Sequence, residues 1–158
     1  VAWSVYAERI DTADVAGQPR VIQKVELNKK IALKAVRTWV ILFGAPDFDV
    51  LEMRIYSQRG TALGRHICTF DKTWTRAELS TEDYAVKEIY FDFNDPKFLS
   101  AHDQYYFVLF PTTYTGTVDS HVAWVRGIPD LANETDIDLT IENAARAPFH
   151  LGFIGAAV

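Results

Sequence analysis

Cysteine is almost absent from this chain. Cys68 stands alone, so no disulfide can form within the chain and the fold must rest on its apolar core. Long hydrophobic runs are missing too: no uninterrupted stretch approaches the roughly 20 residues a spanning helix needs, which excludes a helical membrane span. Positive charge is in deficit. The formal net charge is -5 and no basic stripe interleaved with stacking rings is visible, so nucleic acid is not an expected partner. Chemical motifs are lacking in the same way, with no glycine-rich phosphate loop, no His-Glu-x-x-His and no Gly-x-Ser-x-Gly elbow. Helical periodicity is scarce. Thr75 to Tyr84, with Ser80 and Asp83 in a capping pattern, reads as at most a helical turn, because its apolar stripe is too thin for a core helix. Without internal repeats, low-complexity tracts or a linker, residues 1–158 read as a single domain.

What the chain does have is alternation with a period of two. In Val50 to Ser57, Leu51, Met53 and Ile55 point one way and Glu52, Arg54 and Tyr56 the other. Lys87 to Phe93 repeats the pattern, with Ile89, Phe91 and Phe93 opposite Glu88, Tyr90 and Asp92. Asn94, Asp95 and Pro96 are expected to end that strand, since they favour turns and proline cannot donate to a ladder. Gln104 to Phe110 is apolar on both faces, as a central strand covered on both sides would be. His121 to Arg126 and Val36 to Phe43 complete the clear set. Shorter strand candidates are Trp3 to Tyr6, Val21 to Leu27, Ile31 to Lys34, Gly64 to Phe70, Ile137 to Ile141 and Phe149 to Ala156. Many short strands separated by turn signals indicate an all-β sandwich or barrel, of which an antiparallel two-sheet β-sandwich is the expected form, with Ile55, Ile89, Phe91, Phe107 and Leu109 in its core.

Three stretches together resemble a known architecture: Ile89-Tyr90-Phe91-Asp92-Phe93, then Phe98-Leu99 leading into Tyr105-Tyr106-Phe107-Val108-Leu109, then Ala123-Trp124-Val125. Their order, over residues 30 to 127, is similar to jelly-roll modules found beside carbohydrate-active enzymes and in phage or bacterial surface proteins. The likeness is a rhythm of strands and rings. It departs from those modules where Asp103 stands before the Tyr-Tyr strand in place of their usual glycine. The resemblance implies a glycan-binding or spacer role and an extracellular or virion-associated location.

His66, His102, His121 and His150 are isolated in sequence, and a metal trio of His102, His121 and Asp119 is less expected than loop or strand-end histidines. Cys68 lies in a strand without a neighbouring base, so burial as a small hydrophobe is favoured over nucleophilic use. Glu52, Glu88 and Asp92 project from polar strand faces and could form a carboxylate pair in space, yet solvated strand faces carry such residues routinely. No cofactor is expected. A structural calcium would use Asp47 with Asp49, or Asp130, Asp136 and Asp138. Asn133-Glu134-Thr135 fits a glycosylation acceptor, a pattern common by chance.

The rings carry more. Sugars stack on exposed aromatics while polar neighbours orient the hydroxyls. Trp74 lies in a polar stretch beside Arg76, Tyr114 lies in the threonine-rich Pro111 to Thr117 loop, and Tyr56 and Tyr90 fall on polar strand faces. These five residues are the candidate ligand contacts. The expected function is therefore a non-catalytic recognition module with a carbohydrate ligand. The alternative is a structural assembly protein, such as a capsid or tail component, joined through apolar surface as a homo-oligomer or within a larger particle. The apolar run Phe149 to Val158 bears on that alternative, because it is expected to be tied into a sheet within the monomer or with a neighbour.

Overall fold

The computed structural model describes residues 6–10, 23–27, 29–59, 62–79, 86–101, 104–126, 139–142 and 151–157. Among these are eleven strands and no helix: β1 (Tyr6–Arg9), β2 (Gln23–Leu27), β3 (Ile31–Phe43), β4 (Val50–Arg59), β5 (Ala62–Thr69), β6 (Trp74–Thr75), β7 (Val86–Leu99), β8 (Gln104–Pro111), β9 (His121–Arg126), β10 (Leu139–Glu142) and β11 (Leu151–Ala157). No helix among the described residues is long and apolar enough to cross a membrane. The protein is all-β, and every described strand pairing is antiparallel.

Two sheets result. The first, sheet A, is organised around β3, whose one edge pairs with β7 and whose other edge is divided between β11 and β9, with β1 beyond β9. The second, sheet B, runs β10-β2-β8-β4, and the far edge of β4 takes both β5 and β6. Successive described strands change sheet at every step except from β4 through β5 to β6. The alternation seen in the sequence explains the packing. Leu51, Met53 and Ile55 of β4 and Phe107 and Leu109 of β8 join Val36, Val40, Ile89, Phe91, Trp124 and Phe153 of sheet A in one buried cluster. The Phe107 and Phe153 rings meet edge to face with centroids 5.4 Å apart, which places β8 against β11. All five expected core residues are buried. The expected double coverage of β8 is also found, since Tyr105 to Leu109 are buried without a break.

Two expectations of detail change. Ile31 to Lys34 and Val36 to Phe43 are one strand, because a bulge at Leu33/Ala35 keeps Ile31, Leu33, Val36 and Thr38 on the core side despite the interrupted alternation. Asn94-Asp95-Pro96 does not end β7. Leu33 pairs with Lys97 and Ala35 with Asp92, so Phe93 to Pro96 bulge out opposite Lys34 alone and the strand then resumes. The Lys34 ammonium fills the gap by donating to the carbonyls of Phe93 and Asn94, and the proline sits where no ladder donor is required. The cap found in the 75–84 region is Thr75 with Glu78, since Ser80 and Asp83 lie outside the described residues. One close approach needs glycine. Gly44 has φ 65° and a Cβ there would stand 2.3 Å from the Asp119 carbonyl oxygen.

Candidate functional site

The face of sheet A turned away from the core is built from alternate residues of β7 and β3. Register places Tyr90 opposite Arg37 and Glu88 opposite Trp39, so rings and charges form a checkerboard across the two strands. The Arg37 Nη1 lies 3.4 Å from the Glu88 carboxylate, and its guanidinium carbon is 5.1 Å from the centre of the Trp39 ring. Tyr90 is 50% exposed, an unusual value for a large ring in a strand interior.

The segment from Phe70 to Leu79 closes the outer edge of β7. Lys72 N donates to Asp92 O at 3.1 Å, and the Asp71 carboxylate accepts from Asn94 N at 2.7 Å. Trp74 adds the third tie, its indole N–H donating to Tyr90 O at 2.8 Å. That bond stands the Trp74 ring nearly perpendicular to Tyr90, at 87° and 5.8 Å. Trp74 also packs against the main core, and Lys72 Nζ lies 4.4 Å from its ring centre. With the core on one side and an ammonium on the other, Trp74 acts as a wall, and Tyr90 is the ring with an accessible face.

Glu78 fixes this segment. Its carboxylate accepts from Thr75 N at 2.9 Å, Thr75 Oγ1 at 3.0 Å and Lys72 Nζ at 3.1 Å, while Thr75 Oγ1 accepts from Glu78 N at 3.3 Å. This reciprocal pattern is a capping box around a single turn. The Thr75 backbone N–H, then Lys72, then the Thr75 hydroxyl hold the Glu78 carboxyl down to about 2.

The remaining candidate residues fall elsewhere. Tyr114 is half-buried, donating its hydroxyl proton to Ile10 O at 2.6 Å and accepting from Val122 N at 3.0 Å. It thus ties the start of β9 to the residue after β1, on the opposite edge of β3 from Tyr90. Gly116 permits this, because a Cβ there would stand 2.5 Å from both the Ile10 carbonyl and the Tyr114 hydroxyl. Arg76 is drawn to the 45–48 loop by Pro46 O at 2.9 Å. Tyr56 stands on the outer face of sheet B, with His66 5.3 Å from its ring and Arg54 Nη1 3.4 Å from its hydroxyl. There Arg54 lies 3.9 Å from the centre of the Phe110 ring and bonds Glu52 through Nε at 2.6 Å. Burial pulls Arg54 down, but its bonds to Tyr56 and Glu52 more than offset this and leave it above its ordinary value.

The structure therefore brings Trp74 and Tyr90 together and adds Lys72, Arg37, Glu88 and Trp39. Alternation alone puts Arg37 and Trp39 on one face, yet only the β3–β7 pairing shows that Tyr90 is beside them. Glu52 stands on β4 in sheet B, whereas Glu88 and Asp92 stand on β7 in sheet A. His121 stacks on Phe43 at 4.6 Å and reaches Thr117 O at 2.9 Å through Nδ1. His102, His150, Asp130, Asp136, Asp138 and the Asn133 triplet lie outside the described residues. Asp49 accepts from Thr113 Oγ1 at 2.8 Å. Among the described residues no three His, Cys, Asp or Glu side chains gather as a metal site. Cys68 is half-buried against the core, and burial pushes its thiol up against an opposing pull from Lys97.

An all-β protein of two antiparallel sheets with a ring-and-ion-pair platform on one outer face is thus the class that fold and site define. No family model matches the chain, and neither a curated protein nor a solved structure does so.

Proposed function

We propose that the chain is a two-sheet sandwich, jelly-roll-like in its repeated crossing between sheets, that serves as a non-catalytic recognition module for carbohydrate on a surface or virion-associated protein. The observation that supports this is the corner formed by Tyr90 and Trp74, flanked by Arg37 and Glu88. A half-exposed ring beside a perpendicular wall offers a stacking surface, and the neighbouring donors and acceptors offer partners for hydroxyls. Tyr114, Tyr56 and Arg76, each engaged elsewhere, drop out of this site. A glycan array tests the reading: binding to at least one saccharide, lost in Tyr90→Ala with unchanged thermal unfolding, is the expected result. No binding to any glycan would overturn it.

A second reading, assembly into a larger particle, is favoured by a separate observation. Phe98 is 62% exposed and Ile154 40% exposed, and register sets them opposite Ala32 and Ala35 on the two edges of β3. These two exposed apolar side chains form a patch edged by a cation, since Lys30 Nζ lies 5.6 Å from the centre of the Phe98 ring.

A further inference from the structure

Accepting the recognition reading above, we infer that the ligand of the Tyr90 corner is a neutral pyranose, as opposed to a uronic, sialic or sulfated sugar. Charge around the ring carries no surplus of cations, because Asp92 stands two residues along β7 from Tyr90 on the same face. Arg37 faces Glu88 at 3.4 Å and Lys72 faces Glu78 at 3.1 Å, so each cation nearest the corner already has a carboxylate beside it. An anionic sugar entering there meets Glu88 along with Arg37 and gains little net attraction. A neutral sugar meets no such conflict. Each hydroxyl both donates and accepts, so adjacent ring hydroxyls can accept from Arg37 and donate to Glu88 at the same time. The 3.4 Å separation is long for a charge-assisted contact, and the pair is exposed, Arg37 by 33% and Glu88 by 50%. Hydroxyls can therefore bridge it with little loss, because an exposed ion pair contributes little by itself.

Geometry agrees with this chemistry. A pyranose with equatorial hydroxyls has an apolar C–H face and a polar rim. Laid on Tyr90, it sets one edge against the Trp74 ring, which rises at 87° from the Tyr90 plane, and the opposite rim toward Arg37 on β3, with Glu88 beside Tyr90 on β7. Trp39, opposite Glu88 and under the Arg37 guanidinium, lies further along the same line, where a second sugar of a chain would come.

The test is calorimetric titration with soluble neutral glucans and galactomannans in one arm and polygalacturonate and heparin in the other, each at low and high salt. Neutral chains should bind with an affinity nearly independent of salt, since no net charge is neutralised. Glu88→Gln should weaken that binding about tenfold, by replacing a charged acceptor with a neutral one. Binding confined to the acidic chains, falling with salt and strengthened by Glu88→Gln, would overturn the neutral assignment while leaving the recognition reading intact. Binding to neither class would remove both. Neutral-chain binding unmoved by both Tyr90→Ala and Glu88→Gln, with wild-type unfolding curves, would overturn the assignment of the ligand to this corner.

Discussion

Single side chains show most directly how burial and bonding divide the work. Phe107 is 1% exposed and touches Phe153 across the sheets, so Phe107→Ala should cost about 3–5 kcal/mol from lost transfer energy and the remaining cavity. Chemical denaturation measures it. Tyr114→Phe leaves volume unchanged but takes the hydroxyl from Ile10 O and Val122 N, and should cost about 1–3 kcal/mol in the same assay. The core residue was legible in the sequence because alternation states which side of a strand is apolar. The role of Tyr114 was not: a ring among threonines looks exposed until the distant Ile10 carbonyl comes to meet it. Trp74 was half legible. Its proximity to polar residues marked it as a surface ring, whereas its function as a wall depends on Tyr90 O, which only strand pairing supplies.

At the level of elements, β7 is a long strand with β3 on one side and the Phe70 to Leu79 segment on the other. Edge strands left open invite pairing with other chains, and here an indole N–H and a backbone N–H occupy two of the outward carbonyls. Glu78 is the pin of this strap, and its titration gives a pH prediction. Its folded value of about 2 lies below the ordinary 4.5, so its contribution is complete at neutral pH and is lost as pH falls from about 4.5 toward about 2. Carboxyl chemical shifts followed through acid should show a Glu78 midpoint near 2, and in Glu78→Gln the Thr75 amide should no longer report that transition. An ordinary midpoint near 4.5 in the native protein would show that the box does not hold in solution. Strand identities were largely legible from alternation and turn residues. The continuation of β7 through Asn94-Asp95-Pro96 was not, because turn-forming residues also suit a bulge, and the Lys34 that fills it lies in another strand.

For the whole molecule, the two outer faces differ in character. That of sheet A combines the Tyr90 corner with exposed Phe98 and Ile154, and this makes the assembly reading measurable. If the patch joins copies of the chain, sedimentation at micromolar concentration should show a species heavier than the 17.9 kDa monomer, and Phe98→Ser with Ile154→Ser should return it to the monomer. A monomer throughout leaves no homo-oligomeric role for the patch. Finally, β3 serves three partners, and they are reached at very different times during synthesis. The inner face of β3 emerges early, yet β7 and β9 follow much later and β11, which covers Thr38 back to Ile31, later still. Until then the edges of β3 have no lasting partners, so the nascent chain must delay completion of this sheet across most of its length. High contact order of this kind favours slow folding, on the order of milliseconds to seconds, and a lasting need for protection from other nascent chains.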